Sequence, residues 1–361
     1  MDNPGAHPDG KMESSRLRRR PRSVVSAANG SIVSRVHHPM RFTLAVFLLS
    51  TLFAQAPKSL PTEDAVRISE FYRLAEQTQD KVWPGWSKAP APLVLVTGDT
   101  EYLTHLANPP KDFQKVGDDV YARPRQFPIN MQATFPALGF PPVMVIGEPR
   151  NTSSQTSTPW LIVLMHEHFH QLQWAQPGYL QAVNDLGVGK GDATGMWMLN
   201  YPFPYDNPDV AESFGRLRDS LLATLNEVEQ KKFEQLSKQY LKDRKEFLAQ
   251  FLPGDHKYFS FQLWQEGVAR YVQIKAAQAA GDYQPSAAFA ALPDYTRFDT
   301  YSVAARSRTL DELKHIDITQ SKREVFYSFG AAEALLLDRI NPTWRDEYFR
   351  HLLTTDPLFP K

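Results

Sequence analysis

The chain reads as an α+β protein, predominantly helical: a small N-terminal sheet packed on a histidine-bearing helix, followed by a helical subdomain. Three observations predict this. Short apolar runs bounded by turn residues lie between residues 93 and 147. A long apolar segment follows, with His166, Glu167 and His170 in its second half. Beyond it, patterns of helical period continue almost to the C-terminus. With 361 residues, the chain is long enough for one large domain or two small ones with a sizeable core.

Residues 1–39 read as a disordered leader or a mis-assigned start. The basic cluster Arg16-Leu17-Arg18-Arg19-Arg20-Pro21-Arg22 sits among Gly, Pro and Ser, a composition that cannot build a core. Residues 40–56 read as a signal peptide. Met40-Arg41 precedes an apolar run from Phe42 to Phe53, and Ala54-Gln55-Ala56 is an A-x-A cleavage candidate. That run is too short for a comfortable transmembrane helix, so no stable membrane span is expected in the mature form. The expected location is secreted or periplasmic. Formal net charge is +0, which gives no global electrostatic case for nucleic acid. Cysteine is absent, which excludes cysteine catalysis and cysteine-ligated zinc.

Residues 57–361 read as the functional domain. A short amphipathic helix is expected from about Leu60 to Gln79, with Ala65, Ile68, Phe71, Tyr72 and Leu74 inward. Strands are expected at Leu93–Val96, Asp119–Ala122, Met131–Phe135 and Pro142–Gly147, the last just before the histidine-bearing helix. That helix has Thr156-Ser157-Thr158 as N-cap hydroxyls, Pro159 suited to the first helical position, and Pro177-Gly178 as a stop. The glycines of Gly187–Gly191 lack phosphate-loop spacing and read as a mobile loop. The aromatic-proline stretch Met196–Tyr205 either lines a substrate cleft or packs on the helices. Residues from about 207 to 252 read as an inserted helical hairpin of mixed charge. Helical segments follow at Phe261–Ala277 and Phe326–Asp338, and Asn341-Pro342 breaks the last.

The run His166-Glu167-His168-Phe169-His170 matches H-E-x-x-H, which on a helix binds zinc and supplies a general base. Histidines four apart project from one face, roughly 40° apart, so both imidazoles reach one ion. Glu167 sits one step round, able to take a proton from an attacking water. His168 points away and reads as a packing residue. Catalytic zinc usually has three protein ligands. The extended pattern with a third histidine fails here, because Gln173 and Gln176 occupy its glycine and histidine positions. Glu266, bordering the apolar face of Leu263, Trp264, Gly267, Val268 and Tyr271, is the best third candidate. It could otherwise be a surface carboxylate or pair with Arg270. Asp185, Asp192 and Glu212 are held in reserve.

H-E-x-x-H followed on a later helix by Trp264-Gln265-Glu266-Gly267-Val268-Ala269-Arg270-Tyr271 resembles the gluzincin metallopeptidases. One residue rather than two separates this tryptophan from the glutamate, and the stretch between His170 and Glu266 is wider than in the best-known gluzincins. The resemblance implies zinc held by His166, His170 and Glu266, with Glu167 as base and a peptide or protein as substrate. A sheet edge above the metal helix is expected to hold an extended peptide, with the strand at Val143–Ile146 close to the site. Phe326-Tyr327-Ser328-Phe329-Gly330 is similar to a later helix of such families, in which a tyrosine hydroxyl stabilises the oxyanion. Tyr327 is the position carried over, and Tyr271 is the alternative. The reading that competes is a non-catalytic metal-stabilised binding protein, or a zinc hydrolase of non-peptide amides or esters.

Overall fold

The computed structural model describes residues 58–192 and 194–360, so the leader and signal-peptide readings lie outside the described residues. Helix α1 (Thr62–Val82) comes first, followed by strands β1 (Leu93–Val96), β2 (Thr100–Thr104), β3 (Gln114–Gly117), β4 (Val120–Pro124), β5 (Gln132–Phe135) and β6 (Val143–Gly147). They form one six-stranded sheet in the order β3-β4-β2-β1-β6-β5. Only β1 and β6 pair in parallel, with Leu93 opposite Met144; the remaining pairs are antiparallel.

The sheet separates its side chains by alternation. Leu93, Leu95, Tyr102, Met144 and Ile146 join the main core with the helices. Val94, Val96, Leu103, Val143 and Val145 face the other way, against Phe113 and the loop side chains Phe127, Met131 and Leu138. Both faces of the central strands are thus covered, which explains why they read as unbroken apolar runs. Strands β2 and β3 are additions to the expected set. Thr100-Glu101-Tyr102-Leu103-Thr104 carries too few apolar residues to stand out. Its Glu101 is buried by pairing with Arg123 at 2.7 Å, so a polar residue occupies a strand interior.

Helix α2 (Ser157–Trp174) is buried nearly all round, as its apolar first half demands. Pro159 is not its first residue, because the helix opens two residues earlier. Ser157 and Thr158 do not cap it either. Their hydroxyls donate across the fold, to Asp294 at 2.7 Å and to the Thr296 carbonyl at 2.5 Å. Trp160 fixes the helix to the sheet by donating to the Gly147 carbonyl at 2.9 Å. The helix ends at Trp174, earlier than the Pro177-Gly178 stop suggests.

The remaining elements are helical: α3 (Tyr179–Asp185), α4 (Trp197–Asn200), α5 (Pro208–Asn226), α6 (Gln230–Ala249), α7 (Pro253–Gln262), α8 (Val268–Ala279), α9 (Ala287–Ala290), α10 (Phe298–His315), α11 (Ile318–Ser321), α12 (Val325–Ile340) and α13 (Trp344–Tyr348). The chain is therefore α+β and mostly helical. The charged segment from residue 208 to 249 forms α5 and α6, which pack on each other. The aromatic-proline stretch packs rather than lining an open cleft. Trp197 lies against Phe261, Tyr201 stacks on Tyr258 at 4.4 Å, and Phe203 is buried.

Between α7 and α8 the helix widens into a π turn, Leu263–Gly267. Such turns insert a residue into an α-helix and occur disproportionately at functional sites. Gly267 lies on Gly330 of α12 so closely that a Cβ there would be 2.6 Å from the Gly330 Cα. Two glycines facing each other let α12 approach the π turn at backbone distance.

Candidate metal centre

Helix α2 and the π turn bring three side chains to one point. His166 Nε2 and His170 Nε2 are 3.1 Å apart, and Glu266 Oε2 lies 3.6 Å from the first and 3.4 Å from the second. Tetrahedral ligands about 2.0–2.1 Å from a zinc ion lie about 3.3–3.4 Å from each other, so these separations fit one ion. All three are largely buried, with 5% and 6% exposure for the histidines. This buried His166, His170 and Glu266 group could hold a metal ion. Two imidazoles and one carboxylate are donors that suit zinc.

The tautomer of His170 follows from its neighbours. Gln173, one turn further along α2, has its amide nitrogen within hydrogen-bond reach of three acceptors, the Trp264 and Gln265 carbonyls at 3.0 and 3.1 Å and the Tyr348 hydroxyl at 2.8 Å. That leaves its oxygen facing His170 Nδ1 at 2.7 Å. The Gln265 amide nitrogen also lies 3.1 Å from Nδ1, but the shorter contact, with the Gln173 oxygen, assigns hydrogen to Nδ1 and leaves Nε2 directed at the metal point. His166 Nδ1 has no hydrogen-bond partner among the described residues. Without metal the cluster retains a proton. Burial alone would lower the pKa of His170, but the Glu266 carboxylate overrides it and raises it to about 9. Burial holds His166 below its usual value. Burial also opposes ionisation of Glu266, yet His170 and His166 keep it well below the carboxylate range.

Glu167 is 5% exposed and accepts a hydrogen bond from Thr134 of β5 at 2.8 Å. Thr134 also reaches the Glu167 carbonyl at 2.9 Å. The strand in contact with the acidic residue is thus β5, at the edge of the sheet. The expected neighbour, Val143–Ile146, is the inner strand β6, one place further in. Tyr327 lies parallel to the His166 ring, with centroids 6.0 Å apart. Its hydroxyl accepts from Arg323 at 3.0 Å. Burial, reinforced by Glu266, keeps the Tyr327 phenol protonated well above its usual pKa.

The other candidates lie elsewhere. Tyr271 donates to Asp338 at 2.8 Å and packs on Trp344. Asp185 accepts from Gln181, Asp192 holds the turn into α4 by accepting from the Trp197 backbone, and exposed Glu212 pairs with Arg216. Arg270 pairs with Glu312, not Glu266. His168 is enclosed between Gln171 and Gln79 and stacks on Trp86, and burial lowers its pKa to about 4. Sequence reasoning missed Thr134, Gln173 and Arg323. Gln173 sits one helical turn after His170 and was legible by spacing. Arg323 stands four residues before Tyr327, a weaker signal. Thr134 gave none. No protein-family profile, curated protein or solved structure matches this chain.

Proposed function

We propose that this chain is a zinc-dependent hydrolase of the gluzincin type, secreted or periplasmic, acting on peptide bonds. One observation carries the reading: Nε2 of His166, Nε2 of His170 and Oε2 of Glu266 converge beside a buried carboxylate, Glu167, on the same helix as the histidines. A site that only stabilised the fold would have no use for that second acid. A zinc ion held by His166, His170 and Glu266 would supply a Lewis acid for the scissile carbonyl and a water whose pKa falls from about 15.7 to near 7. Glu167, oriented by Thr134, takes the proton of the attacking water and passes it to the leaving amine. Tyr327 donates its hydroxyl hydrogen to the developing oxyanion. The outer edge of β5, whose Thr134 touches Glu167, suits an extended peptide added as a further strand.

The test is Glu167→Ala beside the unaltered protein. Zinc by elemental analysis is expected to stay at one per chain, while hydrolysis of a mixed peptide library falls by about 10²–10⁴-fold. Equal hydrolysis by both proteins would remove Glu167 from the chemistry. Cleavage confined to non-peptide amides or esters would move the substrate class and leave the site intact.

A further inference from the structure

Arg323 has no part in the proposed hydrolysis, yet it stands against the metal centre. It lies in the tight turn Lys322–Glu324 that opens α12, and its side chain is only 17% exposed. Nη1 lies 3.3 Å from Glu266 Oε1 and 3.5 Å from Gln262 Oε1. Nη2 donates to the Tyr327 hydroxyl at 3.0 Å and lies 3.5 Å from Glu324. The two oxygens of Glu266 are therefore divided. Oε2 faces the two imidazoles, and Oε1 faces a guanidinium.

A mere tie between α12 and the π turn would not require this arrangement. The backbones are already in contact at Gly267 and Gly330. The turn itself is strained: Lys322, which has a Cβ, is held at φ 48° and ψ −125°, a region that side chains rarely adopt. That strain sets the residue before the guanidinium, not one of the packing positions. A largely buried cation aimed at a carboxylate that two imidazoles already share has a chemical consequence. With Oε1 engaged, the carboxylate can offer a metal only one oxygen. A catalytic zinc site differs from a structural one in keeping a position open, and a carboxylate closing with both oxygens would fill it.

We propose that Arg323 is a positioning residue of the metal centre: it occupies Oε1 of Glu266, confines that ligand to Oε2, and so keeps a coordination position free for substrate. Tyr327 and Gln262 hold the guanidinium in register for this task. The role presupposes that His166, His170 and Glu266 bind a metal. Lysine is an incomplete replacement, because an ammonium can meet Oε1 but lacks the planar fork that also grips Tyr327.

Cobalt(II) is the probe, since its visible absorption reports coordination number without any substrate. Unaltered protein, Arg323→Lys and Arg323→Gln are each loaded with cobalt alone, and their thermal unfolding is compared to establish folding. Unaltered protein is expected to take one cobalt per chain and to show the strong bands of a four-coordinate centre. Arg323→Gln is expected to take one cobalt with band intensity reduced at least about two-fold, as Glu266 closes with both oxygens. Arg323→Lys is expected to fall between them. Spectra of both variants superimposable on the unaltered protein would overturn the role of Arg323 and leave the metal site standing. Failure of the unaltered protein to take cobalt or zinc would overturn the metal-site reading itself, and this proposal with it.

Discussion

Two groups of buried charge lie against α12, and they are built on different principles. Glu333, on the inner face of α12, accepts from Arg244 at 2.6 Å and from the Tyr240 hydroxyl at 2.5 Å. Arg244 also reaches Asp356 at 2.8 Å, and Asp356 accepts from His256 at 2.9 Å and Ser260 at 3.0 Å. Phe359 covers the guanidinium at 4.2 Å. The Glu333 and Asp356 oxygens that these bonds engage face donors, so the group is closed. Near the start of α12, beside Tyr327, two imidazole nitrogens face each other and a single carboxylate oxygen across 3.1–3.6 Å. Arg323 meets the other oxygen of that carboxylate, but between Oε2 and the two nitrogens only a proton or a metal ion can mediate. A closed network holds a structure together, whereas an open one marks a place for something else.

The largest expected effect separates the two directly. Glu266→Ala or His170→Ala is expected to lose any zinc that the unaltered protein takes up, measured per chain by elemental analysis after dialysis. Glu333→Ala is expected to retain it. Loss of zinc in all of these variants would mean that the metal merely follows the fold, and the distinction between the groups would fail.

Stability is expected to show the reverse ranking. Removing Glu333 leaves Arg244 buried and short of a partner, which costs about 3–5 kcal/mol in denaturant unfolding. Glu266→Ala in metal-free protein is expected to cost less, because its imidazole partners then become neutral and Arg323 keeps the Tyr327 hydroxyl and Glu324 as partners. A Glu266→Ala loss as large as that of Glu333→Ala would make the metal group a second closed network.

The difference between the groups also governs how much was legible in the sequence. His166, Glu167 and His170 obey helical spacing, so their shared face could be read from the chain alone. Glu266 was legible because an acid beside Leu263, Trp264 and Gly267 demands a partner, although the π turn that carries it has no signature in residue types. Arg323 and Thr134 could not be paired with the site, because their relation to it depends on α12 and β5 arriving from distant positions. The closed network was invisible for the same reason. Arg244 and Glu333 are 89 residues apart, and each alone reads as a solvated charge on a helix. Of the strands, β1 and β6 announced themselves by unbroken apolar runs, whereas β2 hides a buried Glu101–Arg123 pair behind a polar sequence.

The smallest expected effects are opposite responses to pH. Burial opposes the charge on Asp356, but His256 and Arg244 hold its pKa well below the usual range. A carboxylate depressed in the folded state stabilises above its unfolded pKa of about 3.9 and loses that stabilisation as pH falls. Asp356→Asn should therefore flatten the acid limb of the stability profile below about pH 4. His170 behaves in the other sense. With a metal-free folded pKa of about 9, against about 6.5 unfolded, its protonated form stabilises fully below pH 6.5 and loses that contribution as pH rises through 9. Metal-free protein should weaken between those values. Zinc displaces the same proton on binding, so at pH 7 calorimetry in buffers of different ionisation enthalpy should register release of that imidazole proton in addition to whatever zinc-bound water gives up. Above pH 9 the imidazole's share of that release should vanish, leaving only the proton of zinc-bound water. Metal-free stability that stays level between pH 6.5 and 9 would mean that the imidazoles and Glu266 do not share a proton, and the open group would then resemble the closed one more than their geometries suggest.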